Sequence, residues 1–266
     1  MAEDTAETTP GVPERGARRR RKTAAEPAAP ACAMSIHAHP DDQEFTVGGT
    51  LAKWARSGCR VVTVCITSGG AGSNQSTPLD MTREALVPIR EEEQRRACQA
   101  LGISDVVFLG YEDGVLEPSI ALRRDLTRII RRYKPDAVVC GDPTVRFYGK
   151  GYMNHPDHRV AADVALDAVF PSAETRLIFP ELLDEGLEPH KVQRVYMVGS
   201  SAPKRWVDIS QTLDDKIAAM FEHKSQVKDR EGLAIRFRTM AEAAGAAAQP
   251  DPLPLAEAFG FVALAR

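Results

Sequence analysis

CAMSIHAHPDDQEF, Cys32 to Phe45, runs from an apolar stretch through a proline into two adjacent acids. CAMSIHA has the length and apolarity of a buried strand. Pro40 has a fixed φ and no N–H, so it ends the ladder and holds the turn in one shape. The periodicity then changes: GGTLAKWARSG predicts a helix beginning near Gly48 and ending at Gly58. A buried strand, a turn rich in acid and a helix together make the first half of a βα unit.

The alternation continues downstream. RVVTVCIT is rich in β-branched residues and predicts a second buried strand, after which SGGAGSN turns the chain. TREALVPIREEEQRRACQALG predicts a long helix with Pro88 near its start or at a break, and DVVFLG a third strand. PSIALRRDLTRIIRRY spaces Leu and Ile three and four apart, as a helix lying on a sheet does, and DAVVCGD is the fourth strand. This pattern predicts an α/β, Rossmann-like three-layer fold with a mostly parallel sheet flanked by helices. Beyond Phe170, VQRVYMV and RWVDI read as strands, and LDDKIAAMFEHKSQ and GLAIRFRTMAEAAG as helices. LAEAFGFVALAR is compatible with a helix or a strand.

Residues 1–31 contain almost no large apolar side chain and are expected to form a disordered tail; residues 32–266 are expected to form a single domain. RRRRK, Arg18 to Lys22, reads as a solvated charge run diluted by Glu14 and Glu26. A gene start at Met34 is the other reading of this segment, and intact mass separates the two.

Of the 266 residues, 34 are basic and 37 acidic, which gives no general attraction for nucleic acid or an anionic membrane. Small-molecule substrates fit better. The five cysteines never form CxxC, and no stretch approaches the roughly 18 apolar residues of a spanning helix. A reducing, cytoplasmic setting is therefore expected, and a homo-oligomer is compatible with the sequence.

His39, Asp41 and Asp42 follow the first strand; NHPDHR, with His155, Asp157 and His158, follows the fourth. Right-handed crossovers carry the ends of parallel strands to one edge of the sheet, where ligands bind, so folding can bring the segments together. Counting His37 of HAHPDD, four of the six histidines lie in these two segments. Two imidazoles and one carboxylate are the ligands of a hydrolytic zinc site that keeps a position open for water, whereas calcium and magnesium want more oxygens. Adjacent acids in a turn point in different directions. One can therefore bind the ion while the other takes a proton from the activated water, whose pKa falls to about 7.

These residues resemble the LmbE-like, or PIG-L, family of zinc-dependent N-acetylglucosaminyl de-N-acetylases. The likeness covers AHPDDQEFTVGGTLA, VTVCITSGGAG, IREEEQRRACQALGI, VVFLGYEDG, the Pro135 to Pro143 segment, HPDHR, VDIS and HKSQ, spanning Ser35 to about Gln226. The resemblance implies His39, Asp42 and His158 as zinc ligands, with Fe2+ or another divalent ion as substitute. It implies Asp41 as general base, and His155 as the group that stabilises the oxyanion and protonates the leaving amine. The implied reaction removes the N-acetyl group from an N-acetylglucosamine-containing conjugate. Gln43 occupies a position where the family usually has Glu, which puts substrate choice and metal affinity in question.

Arg90, Asp113 and Tyr152 are candidate substrate contacts, and Asp142, after the fourth strand, is a candidate partner for a ligand histidine. His37 is expected in the core or behind the ligands, and His223 recurs in the family. Rival readings are a zinc hydrolase of another small amide or ester, and a sugar-binding relative without turnover. A nucleotide-binding oxidoreductase lacks its glycine fingerprint here.

Overall fold

The computed structural model describes residues 28–149 and 151–264. Strand β1 (Cys32–His37) leads into helix α1 (Asp42–Arg56), then β2 (Arg60–Thr67), α2 (Arg83–Ala100), β3 (Asp105–Tyr111), α3 (Ile120–Tyr133) and β4 (Ala137–Gly141). A two-strand ribbon, β5 (Phe147–Tyr148) and β6 (Tyr152–Met153), precedes α4 (Pro156–Asp167). The remainder comprises α5 (Glu181–Asp184), β7 (Arg194–Val198), β8 (Arg205–Asp208), α6 (Leu213–Met220), α7 (Arg230–Ala246) and β9 (Ala256–Ala263). Positions 1–27 of the expected tail lie outside the described residues. Its last part is in contact with the domain: Arg194 donates to the carbonyl of Ala28, and the Arg60 N–H to that of Ala31.

The main sheet has the order β3-β2-β1-β4-β7-β9-β8. Its first five strands are parallel, and β9 runs antiparallel to both neighbours. Strand order reverses direction at β1 and β4. Connections leaving those two strands diverge to opposite sides, which opens a crevice at their carboxyl ends.

Alternate residues of the parallel strands enter two cores. Ala33, Val61 and Val139 face α1, α6 and α7, whereas Met34, Val62 and Val138 face α3 and α4. This two-sided burial is why these strands read as unbroken apolar runs. Leu122, Leu126, Ile129 and Ile130 form the buried stripe of α3, and Ser119 caps that helix by accepting the Leu122 N–H at 3.2 Å. Such a cap contributes about 1 kcal/mol.

Two local expectations need correction, and one left open is resolved. Helix α1 starts at Asp42, not near Gly48. Gly48 and Gly49 resemble a helix break but serve close packing, since a Cβ on Gly49 would stand 2.9 Å from Ile209 Cγ2. The helix expected through HKSQ stops at Met220. The last segment is a strand, paired between β7 and β8.

Candidate metal-dependent active site

The crevice holds the paired motifs. From the β1 loop come His39, Asp41 and Asp42; from the start of α4 come His155, as N-cap, and His158 one turn on. His39 Nδ1 lies 3.2 Å from His158 Nε2 and 3.4 Å from Asp42 Oδ2, and His158 Nε2 lies 3.1 Å from Asp42 Oδ1. Ligand atoms around a tetrahedral ion with bonds of about 2.0–2.1 Å stand roughly 3.3 Å apart, and each pairwise contact of the trio has about that spacing, Asp42 offering Oδ2 to His39 and Oδ1 to His158. A second grouping, His39 with His155 and Asp157, also brings donor atoms together. In it Asp157 accepts the N–H groups of Gly114 and Leu116, and His155 Nδ1 accepts the N–H of Asp157, which leaves His155 Nε2 open. The His39, Asp42 and His158 trio is one of two groups among the described residues able to hold a metal.

Carboxylates behind the trio fix its chemistry. His39 Nε2 is 2.9 Å from Asp113 Oδ1 and 3.3 Å from Asp157 Oδ2, so these acids hold the ring proton on Nε2 and leave Nδ1 to face Asp42 and His158. Burial opposes a charge on His39, yet hydrogen bonds to Asp113, Asp157 and Asp42 prevail and raise its pKa to about 12, so without a cation both ring nitrogens carry protons and metal binding would release the one on Nδ1. Asp42 shows the converse balance. Burial pushes its carboxyl up, but His158 and His39 hold it well below the usual range. His37 is buried without a partner for Nε2 among the described residues, and burial lowers its pKa to about 4, so it stays neutral.

Asp41 sits in a different environment from its neighbour. Its carboxyl pKa is raised by burial, against the opposing pull of Arg90. Arg90 Nη2 donates to Asp41 Oδ2 at 2.9 Å and to the Pro40 carbonyl at 2.7 Å, and Nη1 donates to the Gly69 carbonyl. The Asp41 N–H is taken by Gln94 Oε1. At the other side of the crevice, His155 Nδ1 is an acceptor, which leaves Nε2 as the donor of its neutral ring. Burial and the nearby His39 and His158 lower its pKa, favouring that neutral form.

The structure separates the remaining expected residues. Asp113 faces His39 and accepts the Ala71 N–H. Tyr152 is exposed on the ribbon, its ring 6.0 Å from that of Tyr148, and both line the cavity. Asp142 does not reach a ligand histidine, because its Oδ1 accepts from the N–H and hydroxyl of Thr144. Gln43 points into the core, donating to Glu44 Oε1 and accepting from Thr63. Glu44 also receives Gln94 Nε2 and lies 3.3 Å from His223 Nε2. Sequence reading missed Asp157 as a partner of His39 and Gln94 as the acceptor for Asp41; no residue spacing signals either contact.

A cavity of about 1040 Å³ opens over these groups. A mostly parallel α/β fold with a metal-compatible His/Asp group in the crevice at its strand ends defines a class of candidate metal-dependent enzymes. Residues 34–169 match the sequence profile of the PIG-L family, described as GlcNAc-PI de-N-acetylase. The chain belongs to that family. It is 31% identical over 193 residues to diacetylchitobiose deacetylase of Thermococcus kodakarensis, covering 73% of this chain and 69% of that protein. It is 32% identical to the probable N-acetyl-alpha-D-glucosaminyl L-malate deacetylase 2 of Bacillus anthracis, over 54% of this chain and 61% of that one. Among solved structures, N,N'-diacetylchitobiose deacetylase from Pyrococcus horikoshii superposes with a TM-score of 0.79 at 30% identity, covering 88% of this chain and 84% of the other. These homologues are deacetylases of N-acetylglucosamine-containing substrates. Among the described residues no helix is long and apolar enough to cross a membrane.

Proposed function

We propose that this chain is a zinc-dependent deacetylase that hydrolyses the N-acetyl amide of an N-acetylglucosamine-containing conjugate, releasing acetate and a free amine. The carrying observation is the trio of His39, Asp42 and His158 with pairwise contacts of 3.1–3.4 Å, and Asp41 next to it with no partner to Oδ1 among the described residues. Two imidazoles and one carboxylate suit zinc and leave a place for water. When bound, the ion polarises the amide carbonyl and makes water acidic enough to be deprotonated near neutral pH.

The residues divide the work by environment. Arg90 fixes Asp41 Oδ2, which leaves Oδ1 to take the proton of the attacking water. Burial raises the basicity of this carboxylate, whereas Asp42, beside two imidazoles, stays ionised as a ligand. His155 donates a hydrogen bond from Nε2–H to the developing oxyanion, and the proton that Asp41 takes from water passes to the leaving nitrogen. Asp113 and Asp157 hold His39 in the tautomer that ligation requires. A cytoplasmic setting suits the five free cysteines, four of them buried.

The test is acetate release from diacetylchitobiose and from N-acetylglucosamine linked to malate or inositol, before and after chelation and after readdition of zinc or ferrous iron. Activity lost on chelation and restored by one of these ions supports the reading. Full activity after complete chelation, or no acetate from any such conjugate, overturns it.

A further inference from the structure

Tyr148 and Tyr152 are cross-strand partners in the β5–β6 ribbon, with rings 6.0 Å apart. Their surroundings differ. Tyr152 is 59% exposed, whereas Tyr148 is half-buried and reaches the end of β7, where Gly199 receives it. A Cβ at Gly199 would stand 2.6 Å from the Tyr148 hydroxyl oxygen and 3.2 Å from Cε1, so only glycine leaves room for the phenol. Gly199 also stands at φ 72°, which a residue with a side chain rarely adopts.

The hydroxyl seated in this way has no hydrogen-bond partner among the described residues. Asp142 lies near it but accepts from Thr144 and Ser200 instead. Burial, then Asp142, Tyr152 and Asp42, raise the phenol's pKa, so it keeps its proton and is available as a donor. Tyr148, Gly199 and Ser200 all line the cavity that holds the metal-compatible trio. Phenylalanine would meet the needs of ring packing; a hydroxyl in a cavity wall without a protein acceptor is one that a ligand can engage.

Strand register sets what this donor can reach. Ser35 pairs with Val139 and Gly141 with Val198, so β1, β4 and β7 end at one edge. Gly199, the residue after β7, therefore lies two interstrand spacings, roughly 10 Å, from the end of β1 that leads to His39 and Asp42. That is too far for the acetamide oxygen, which the proposed role of His155 covers from the start of α4. It suits oxygens on the ring carbons either side of the amide-bearing one. We infer that Tyr148 is a specificity-determining residue of the proposed reaction, its hydroxyl donating to one of these two flanking oxygens, the glycosidic or the 3-hydroxyl. The inference rests on the deacetylase reading of the same cavity.

Acetate release from methyl N-acetylglucosaminide in both anomers, from its 3-deoxy analogue and from the 1,5-anhydro analogue, which lacks the glycosidic oxygen, tests it in wild type and Tyr148→Phe. Tyr148→Phe is expected to lower kcat/KM on the methyl glycoside about tenfold, the worth of one hydrogen bond, at unchanged metal content. One of the two deoxygenated analogues is expected to react equally with both proteins, because donor and acceptor contribute only together, and that analogue identifies the oxygen. Gly199→Ala, which displaces the hydroxyl, is expected to reproduce the loss in the wild-type background and to add less than about twofold after Tyr148→Phe. Where Gly199→Ala does not fold, the deoxygenated series decides alone. No loss in Tyr148→Phe, an equal loss on all three substrates, or a metal content that falls with activity overturns the inference. If wild type releases no acetate from these or from the conjugates named above, the deacetylase reading fails. Ligand-observed NMR titration with methyl N-acetylglucosaminide then reads the contact directly: a Kd weaker by about tenfold in Tyr148→Phe supports it, and an unchanged Kd overturns it.

Discussion

Gln94 Oε1 accepts the backbone N–H of Asp41 at 2.9 Å, and Asp41 stands at φ 86°, the left-handed region. A residue with a Cβ enters that region at a cost of about 1–3 kcal/mol, so the conformation persists only where neighbours impose it. Gln94 imposes it from the backbone side and Arg90 from the carboxylate side. Gln94 is itself fixed by donating to Glu44 Oε1 at 2.8 Å, and Glu44 is fixed by Gln43 and His223. A buried chain of hydrogen bonds therefore sets the direction of Asp41, the proposed base.

Removing the middle of that chain should misplace the base without emptying the metal site. Gln94→Leu leaves the Asp41 N–H without its acceptor, an unsatisfied group worth about 1–3 kcal/mol. Steady-state kinetics should show kcat lower by about tenfold to a hundredfold, with KM little changed and metal content equal to wild type. A variant that loses metal and activity together would place Gln94 in the support of the ligands instead.

Asp113 and Asp142 were both candidate site residues, and the structure predicts different consequences for them. Asp113→Ala removes the carboxylate 2.9 Å from His39 Nε2 and should weaken zinc affinity about tenfold to a hundredfold in competition with a chelator. Asp142→Ala, whose side chain serves Thr144, should leave that affinity unchanged. Equal losses in both variants would contradict the assignment of His39's partner.

Much of this was legible in the sequence, for a physical reason. Strands β1, β2 and β4 are buried on both faces and read as continuous apolar runs, and the two histidine motifs follow β1 and β4, where a doubly wound sheet presents its site. The start of α1 was hidden because Gly48 and Gly49 mimic a break; their small size answers to Ile209 and Lys216, which are distant in sequence. Strand β9 was ambiguous because AEAFGFVA owes its conformation to β7 and β8, not to local preference. Asp142 follows a strand just as a supporting carboxylate would, and only its hydrogen bonds to Thr144 assign it elsewhere. The contact of Asp157 with His39 spans 118 residues and leaves no local signature.

The buried pair of Lys216 and Glu257 makes a stability prediction. Both side chains are almost fully enclosed, so removing one strands the other charge in a medium of low polarity. Lys216→Met should cost about 3–5 kcal/mol in urea unfolding, and the double change Lys216→Met with Glu257→Leu should recover part of that loss. A double variant less stable than either single one would show that the hydrogen bonds from Gly49 and Thr50 to Glu257 matter more than the charge pair.

The two adjacent acids are proposed to have separate tasks, Asp42 holding the ion and Asp41 moving the proton. The direct measurement is the rate of acetate release by Asp41→Asn, at a metal content matched to wild type. The predicted result is a full metal complement with turnover lower by about 10²–10⁴-fold, the usual contribution of a general base. Turnover within about threefold of wild type, at that same metal content, would contradict the assignment, since a missing base cannot cost so little.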